Sequence, residues 1–198
     1  GHFFLISEPA KRISLYDVAA KSEKRWFEET FEVPRYPEPV KGTLEVPHMV
    51  YNFAVLLTKV SVDEMLGLSR VEEAELYVDI GKVINPLNAV AQCEGGIIQG
   101  IGYALMEELV YKDGMPQNIN FTSYMVPTAM DVPRSIYVEF VESEEETGPY
   151  GAKGAGEIPI VPVAASITDA IKEAIGLRLF EIPATPERIA LKKPLEFP

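Results

Sequence analysis

Residues 85–102 read Asn85-Pro86-Leu87-Asn88-Ala89-Val90-Ala91-Gln92-Cys93-Glu94-Gly95-Gly96-Ile97-Ile98-Gln99-Gly100-Ile101-Gly102. Asn85 followed by Pro86 marks a helix start. An Asn side chain accepts a free amide at the N-cap, and proline suits the first helical position, where its missing N–H is not needed. The pattern predicts a helix from Pro86 to about Val110, closed by Lys112-Asp113-Gly114. Gly95, Gly96, Gly100 and Gly102 fall inside it, and each costs a helix interior roughly 1 kcal/mol relative to alanine. Either the helix breaks there, or another backbone or a flat ligand approaches closely. Gln92 and Gln99 stand two helical turns apart, and Gln92, Gly96 and Gly100 follow at steps of four, so they share a face. An amide beside a groove of small residues can match the donors and acceptors of a planar polar heterocycle. The same spacing also describes helix–helix packing with glutamines at the rim, its commoner meaning. Cys93 has no basic sequence neighbour and reads as a small core hydrophobe.

Upstream, residues 50–63 alternate as a strand, Asp63 to Gly67 is a turn, and Leu68 to about Ile80 is a second strand. The two predict a hairpin, against the helix-friendly Glu72-Glu73-Ala74-Glu75. Residues 33–47 carry Pro34, Pro37, Pro39, Pro47 and Gly42, which excludes a helix or central strand and predicts an extended connector. Before it, Ser14 is an N-cap, with Asp17 approximating the reciprocal half of a capping box. The apolar face of Leu15, Val18 and Ala19 runs on towards Trp26 and Phe27. Downstream, 119–141 reads as β-type, broken by Pro127 and Pro133, with 136–141 alternating well. The acidic run Glu142 and Glu144-Glu145-Glu146 reads as a solvated loop. Pro162 to Ile175 is a helix ended by Gly176, and Thr185-Pro186-Glu187 opens a last short one. The class is α+β, mixed strands with a Gly-rich helix. Residues 1–47 form a helix and Pro-rich connector, and 48–198 the main domain.

The chain has 198 residues, 47% of them hydrophobic and 24% charged, which are globular values. A formal net charge of −12 would repel a phosphate backbone, which argues against nucleic acid and anionic membranes as partners. No run of about 18 apolar residues is present to span a membrane. One cysteine cannot form an internal disulfide, in keeping with a reducing, cytoplasmic setting. The first residues lack a basic region and an apolar stretch long enough for a signal peptide. The absence of an initiator Met points to a processing site or the cut edge of something longer.

Most familiar chemistries have no residues here. Two histidines and one cysteine cannot build a usual zinc site. There is no nucleophile elbow, no Cys/His pairing and no phosphate-binding Gly-x-x-x-x-Gly-Lys-Ser/Thr. The unusual segment is Gly148-Pro149-Tyr150-Gly151-Ala152-Lys153-Gly154-Ala155-Gly156-Glu157. Its small residues leave backbone N–H groups unshielded, which suits a nest around an anion or polar ring, and Lys153 adds positive charge. Glu157 can act as a general base if burial raises its pKa. By spacing alone, a plain turn with a solvated Glu is the commoner arrangement.

Five motifs taken in order are more specific than any one. They are Asp79-Ile80-Gly81…Asn85-Pro86, then Gln92-x-Glu94-Gly95-Gly96-x-x-Gln99-Gly100-x-Gly102, then Tyr124-x-x-Pro127-Thr128-x-x-Asp131-x-Pro133. Gly151-Ala152-Lys153-Gly154-x-Gly156-Glu157 and Pro183-Ala184-Thr185-Pro186-Glu187-Arg188 follow. In this order they resemble the molybdopterin-binding subunit of the xanthine dehydrogenase and aldehyde oxidase family of molybdenum hydroxylases, over roughly residues 48–190. The resemblance implies the C-terminal, molybdopterin-binding portion of an oxidoreductase that hydroxylates a purine, N-heterocycle or aldehyde with water as oxygen source. It makes Glu157 the general base and Gln92 a hydrogen-bonding partner of the pterin or its neighbouring ligands. The backbone of Gly151, Ala152, Lys153, Gly154, Ala155 and Gly156 would pass over the cofactor. The molybdenum would be held by the pterin dithiolene and by no protein side chain. The pterin would be plain molybdopterin or its cytosine dinucleotide form, with Lys153 and basic charge from elsewhere receiving its phosphate. The 2Fe-2S clusters and FAD are expected on partner domains or subunits, together with the remaining half of the molybdenum subunit. Two further readings stay open: a non-catalytic interaction module of the same descent, and, much less well supported, a nucleotide-phosphate binder using 148–157.

Overall fold

The computed structural model describes residues 1–24, 26, 28–30 and 50–191. The chain divides into a unit of residues 1–33 and one of residues 34–198. The proline strip 33–47 and Phe27 lie outside the described residues.

In the first unit, strands β1 (His2–Leu5) and β2 (Glu8–Ser14) pair antiparallel and lead into helix α1 (Leu15–Lys21). Ser14 caps α1 by accepting from the Asp17 amide at 3.0 Å. Its hydroxyl in turn donates to the Asp17 carboxylate at 2.6 Å, so Asp17 answers the cap side chain and not the cap amide of a full capping box. The helix stops at Lys21, short of the expected continuation to Trp26, because Ser22 turns to extended backbone. The β1–β2 hairpin had no expectation from the sequence.

In the second unit, β3 (Phe53–Asp63) and β4 (Leu68–Asp79) form the expected hairpin, and β7 (Ser135–Phe140) lies parallel against β4, giving the order β3-β4-β7. The β4 core residues switch phase, from Val71 to Ala74, Leu76 and Val78. A bulge explains the switch: Lys59 faces Glu73 while Val60 faces Val71, leaving Glu72 as the extra residue. The Glu72 carbonyl is taken by the Arg134 amide at 2.9 Å. The run Glu72–Glu75 is therefore strand, its local helix preference overridden by pairing on both sides.

Helix α2 (Pro86–Leu105) begins as expected, with the Asn85 side chain accepting from Asn88 N–H. Its buried face of Cys93, Ile97, Ile101, Ala104 and Leu105 meets the sheet core. Helix α3 (Val163–Ile175) buries Val163, Ile167 and Ile171 and ends on Gly176 in the left-handed conformation. The Ser166 hydroxyl ties α3 to β3, donating to the Leu56 carbonyl at 3.1 Å. The last helix, α4 (Pro186–Ala190), is capped by Thr185. Arg188 beneath it is buried, donates to the Pro183 carbonyl at 2.6 Å and pairs with Glu108 at 3.2 Å.

Two further sequence expectations are corrected. Helix α2 ends at Leu105, not near Val110. Asn118 takes the peptide groups that a longer helix would use, accepting from Val110 N–H at 2.9 Å and donating to the Glu108 carbonyl. Tyr111–Lys112 (β5) and Met115–Pro116 (β6) then form a small hairpin around Asp113-Gly114, both at positive φ. The β-type reading of 119–134 also fails. Asn120 accepts Thr122 N–H, and Asp131 accepts Thr128 N–H at 2.7 Å, so side-chain-capped turns replace a strand there.

Candidate functional site

The site is built where β4 ends. Asp79 is its last residue, and Gly81 follows at φ +66°. The glycine segment docks onto this turn. Gly81 pairs with Ala152 as an isolated bridge, Lys82 N–H donates to the Gly151 carbonyl at 2.8 Å, and Lys153 N–H to the Ile80 carbonyl at 2.8 Å. A Cβ on Gly81 would collide with the Gly151 carbonyl oxygen and come within 2.8 Å of the Lys153 nitrogen. Only glycine satisfies both the positive φ and the close approach.

Lys153 turns inward. Its ammonium donates to Asp79 Oδ2 at 2.7 Å and to the Tyr51 carbonyl at 3.2 Å, with the two charged side chains only 6% and 9% exposed. Asp79 Oδ1 accepts from Gly81 N–H at 2.8 Å. Burial pushes the Asp79 carboxyl up, but the Lys153 and Gly81 hydrogen bonds more than offset this, leaving it below the ordinary carboxylate range. The charge expected to face an anion is thus met inside the protein. Asn52 completes the clamp, its Nδ2 donating to the Asp79 carbonyl at 3.0 Å and the Gly154 carbonyl at 2.9 Å.

Beyond this anchor the loop crosses to α2. Gln92 Nε2 donates to the Gly156 carbonyl at 2.9 Å. Two residues past Glu157, Pro159 packs into the notch left by Gly96, where a Cβ would stand 2.7 Å from the proline ring. One turn on, a Cβ on Gly100 would stand 2.5 Å from Val163. The helical glycines therefore have separate reasons. Gly96 and Gly100 admit the loop and α3, and Gly102 admits Pro127, while Gly95 meets nothing within 4 Å.

Glu157 is exposed, held between the Gln92–Gly156 and Gly96–Pro159 contacts. Gly154 and Gly156 are also exposed and have no atom within 4 Å of where a Cβ would be. Gly151 and Ala152 are spent on the β4 turn, and Ala155 packs against the core. The structure thus brings Gln92, Gly154, Gly156 and Glu157 to one open surface and places Lys153 beneath it. Cys93 is buried, and burial pushes its thiol pKa up, as suits a core residue. The sequence reading missed Asn52, which no motif flags. It also missed the pairing of Asp79 with Lys153, which stand in the first and fourth of the five motifs, 74 positions apart. Among the described residues no cluster of three or more His, Cys, Asp or Glu could hold a metal, and no helix is long and apolar enough to cross a membrane.

Residues 3–133 match the family model of the molybdopterin cofactor-binding domain. The chain belongs to this family. The molybdopterin-binding domain is 34% identical over 197 residues to the xanthine dehydrogenase molybdenum-binding subunit of Escherichia coli O157:H7, covering 96% of this chain and 25% of that one. It is 32% identical over 189 residues to the 6-hydroxypseudooxynicotine dehydrogenase complex subunit gamma of Paenarthrobacter nicotinovorans, covering 94% and 24%. Among solved structures it matches the aldehyde oxidoreductase of Desulfovibrio desulfuricans with a TM-score of 0.66 and 34% identity, over 72% of this chain and 16% of that one. The chain therefore spans about a quarter of the length of these curated relatives. The α+β architecture is that of a molybdopterin-binding domain.

The open surface fits such a cofactor. A flat ring system can approach a backbone only where no side chain intervenes, and Gly154 and Gly156 leave that space bare.

Proposed function

We propose that this domain supplies the general base and one wall of the molybdopterin pocket in a molybdenum hydroxylase acting on an N-heterocycle, purine or aldehyde. The observation that carries the reading is the 2.9 Å hydrogen bond from Gln92 to the Gly156 carbonyl. It closes α2 onto the loop one residue before Glu157, beside glycines with no neighbour on their open side. The names of the relatives, which refer to xanthine, an oxynicotine and aldehydes, support the substrate class.

When bound, the cofactor supplies a two-electron oxidant and an activated water-derived oxygen. The chain's own part is to place a carboxylate and to stay out of the way. Glu157 would act as the general base, its carboxylate taking up the proton that this chemistry releases. Gln92 spends one amide proton on the loop and retains a second N–H and its carbonyl oxygen for the pterin or its neighbouring ligands. Gly154 and Gly156 offer backbone groups to the ring. The iron–sulfur and flavin groups that remove electrons, and the rest of the molybdenum subunit, belong to partner domains or chains in this reading. The pterin is molybdopterin itself or its cytosine dinucleotide form.

Glu157→Gln in the assembled enzyme tests the assignment. Loss of the base lowers kcat by about 10²- to 10⁴-fold, with molybdenum and pterin content unchanged. Normal turnover in that variant refutes the role. Absence of molybdenum and pterin from the domain co-purified with its natural partners would favour a non-catalytic interaction module.

A further inference from the structure

In the segment 151–156 every residue except Lys153 is Gly or Ala. A backbone without side chains has much conformational entropy to lose and nothing with which to hold its register. Lys153 is thus the only side chain beyond Cβ that can anchor the approach to Glu157. It does not point towards the open surface. It is buried on Asp79 and on the Tyr51 carbonyl. The backbone of the same turn is also gripped by Asn52, whose amide reaches both Asp79 and Gly154.

A buried ion pair is a poor source of net stability, since desolvating two charges cancels most of their attraction. It is a good source of geometry. The ammonium lies between two fixed acceptors, and the carboxylate between the ammonium and the Gly81 amide. This arrangement permits one loop register.

We propose that Lys153, Asp79 and Asn52 are positioning residues that set where Glu157 stands, and that Lys153 is not a ligand for an anionic cofactor. The proposal rests on the reading of Glu157 as general base, but its structural half does not. An anion-binding lysine and a positioning lysine respond differently to loss of Asp79. A ligand lysine freed from its carboxylate still binds, and binds better. A positioning lysine without its carboxylate fails in the same way as its own removal.

The test is a double-mutant cycle of Asp79→Asn and Lys153→Met in the assembled enzyme. Hydrogen exchange at the amides of 154–157 is read alongside kcat, KM and molybdenum content. The two single variants should each speed exchange by about 10-fold or more and lower kcat by about 10- to 100-fold. KM and molybdenum content should stay within about 2-fold, the pattern of a misplaced base rather than lost binding. The double variant should be no worse than the poorer single, because both remove one shared interaction. Asn52→Ala, which strands no buried charge, should show the same direction in exchange and kcat. It decides the matter if the charge variants do not fold. Molybdenum lost in Lys153→Met but retained in Asp79→Asn would overturn the proposal in favour of an anion ligand. Unchanged exchange in Asn52→Ala would overturn it as well. An active Glu157→Gln enzyme whose loop still loosens in the cycle would refute the base assignment alone and leave the loop anchor standing.

Discussion

Asp79 shows how much one residue can do when it ends a strand. Its carboxylate orders the turn through Gly81, neutralises Lys153 and is held below the ordinary carboxylate range by those contacts. A group with a depressed folded pKa adds stability that is complete above its unfolded value, near pH 4, and fades as pH falls towards the folded one. The urea midpoint of the domain should therefore decline on acidification below about pH 4. The decline should be shallower in the Asp79→Asn, Lys153→Met double variant, which has no such carboxylate. Equal slopes would show that Asp79 does not contribute. The pair was only half legible in sequence. Lys153 stood out among small residues, but its 153–79 partnership spans the chain, and a free lysine in a glycine loop looks like an anion ligand until its direction is seen.

At the scale of elements, α2 was readable at its start and not at its end. Asn85-Pro86 is a local signal, satisfied by Asn88 three residues away. Its end depends on Asn118, a residue from another part of the chain, so no local pattern predicts Leu105 as the last residue. The glycines divide in the same way, and two substitutions separate them. Gly95→Ala, with nothing within 4 Å, should stabilise the isolated domain by about 0.5–1 kcal/mol through helix propensity. Gly100→Ala should destabilise it by about 1–3 kcal/mol, because the added methyl meets Val163 in a packed core. Urea unfolding of both variants checks the contrast, and equal effects would mean that α2 and α3 pack less closely than described. The hairpin β3–β4 was legible from alternation, but the bulge at Glu72, which resets that alternation, comes from pairing with Lys59 and Val60. The turns of 119–134 were misread because β-prone residues there are outcompeted by the short side chains of Asn120, Thr128 and Asp131.

The molecule as a whole presents its candidate site on an open face, with Glu157, Gly154 and Gly156 exposed. It spans about a quarter of its relatives' length. A cofactor held against one wall loses most of the contacts that bind it, since tight small-molecule sites enclose their ligands. The domain expressed alone should therefore carry no molybdenum, measured by metal analysis after purification from a cofactor-producing host. Stoichiometric metal would refute this and show that one wall suffices. The sequence by itself determined the family, the α+β class, both hairpin strands, the start of α2 and the course of α3. Each of these depends on interactions within a few residues or on motifs in a set order. Only the tertiary structure decided that Lys153 faces inward, that Asn52 and Gln92 grip the loop from either side, and that Gly96 and Gly100 are packing notches while Gly95 stays bare. Those outcomes depend on contacts between residues far apart in sequence, 64 positions for Gln92 and Gly156 and 102 for Asn52 and Gly154, and linear spacing carries no information about which distant partner a flexible side chain will meet.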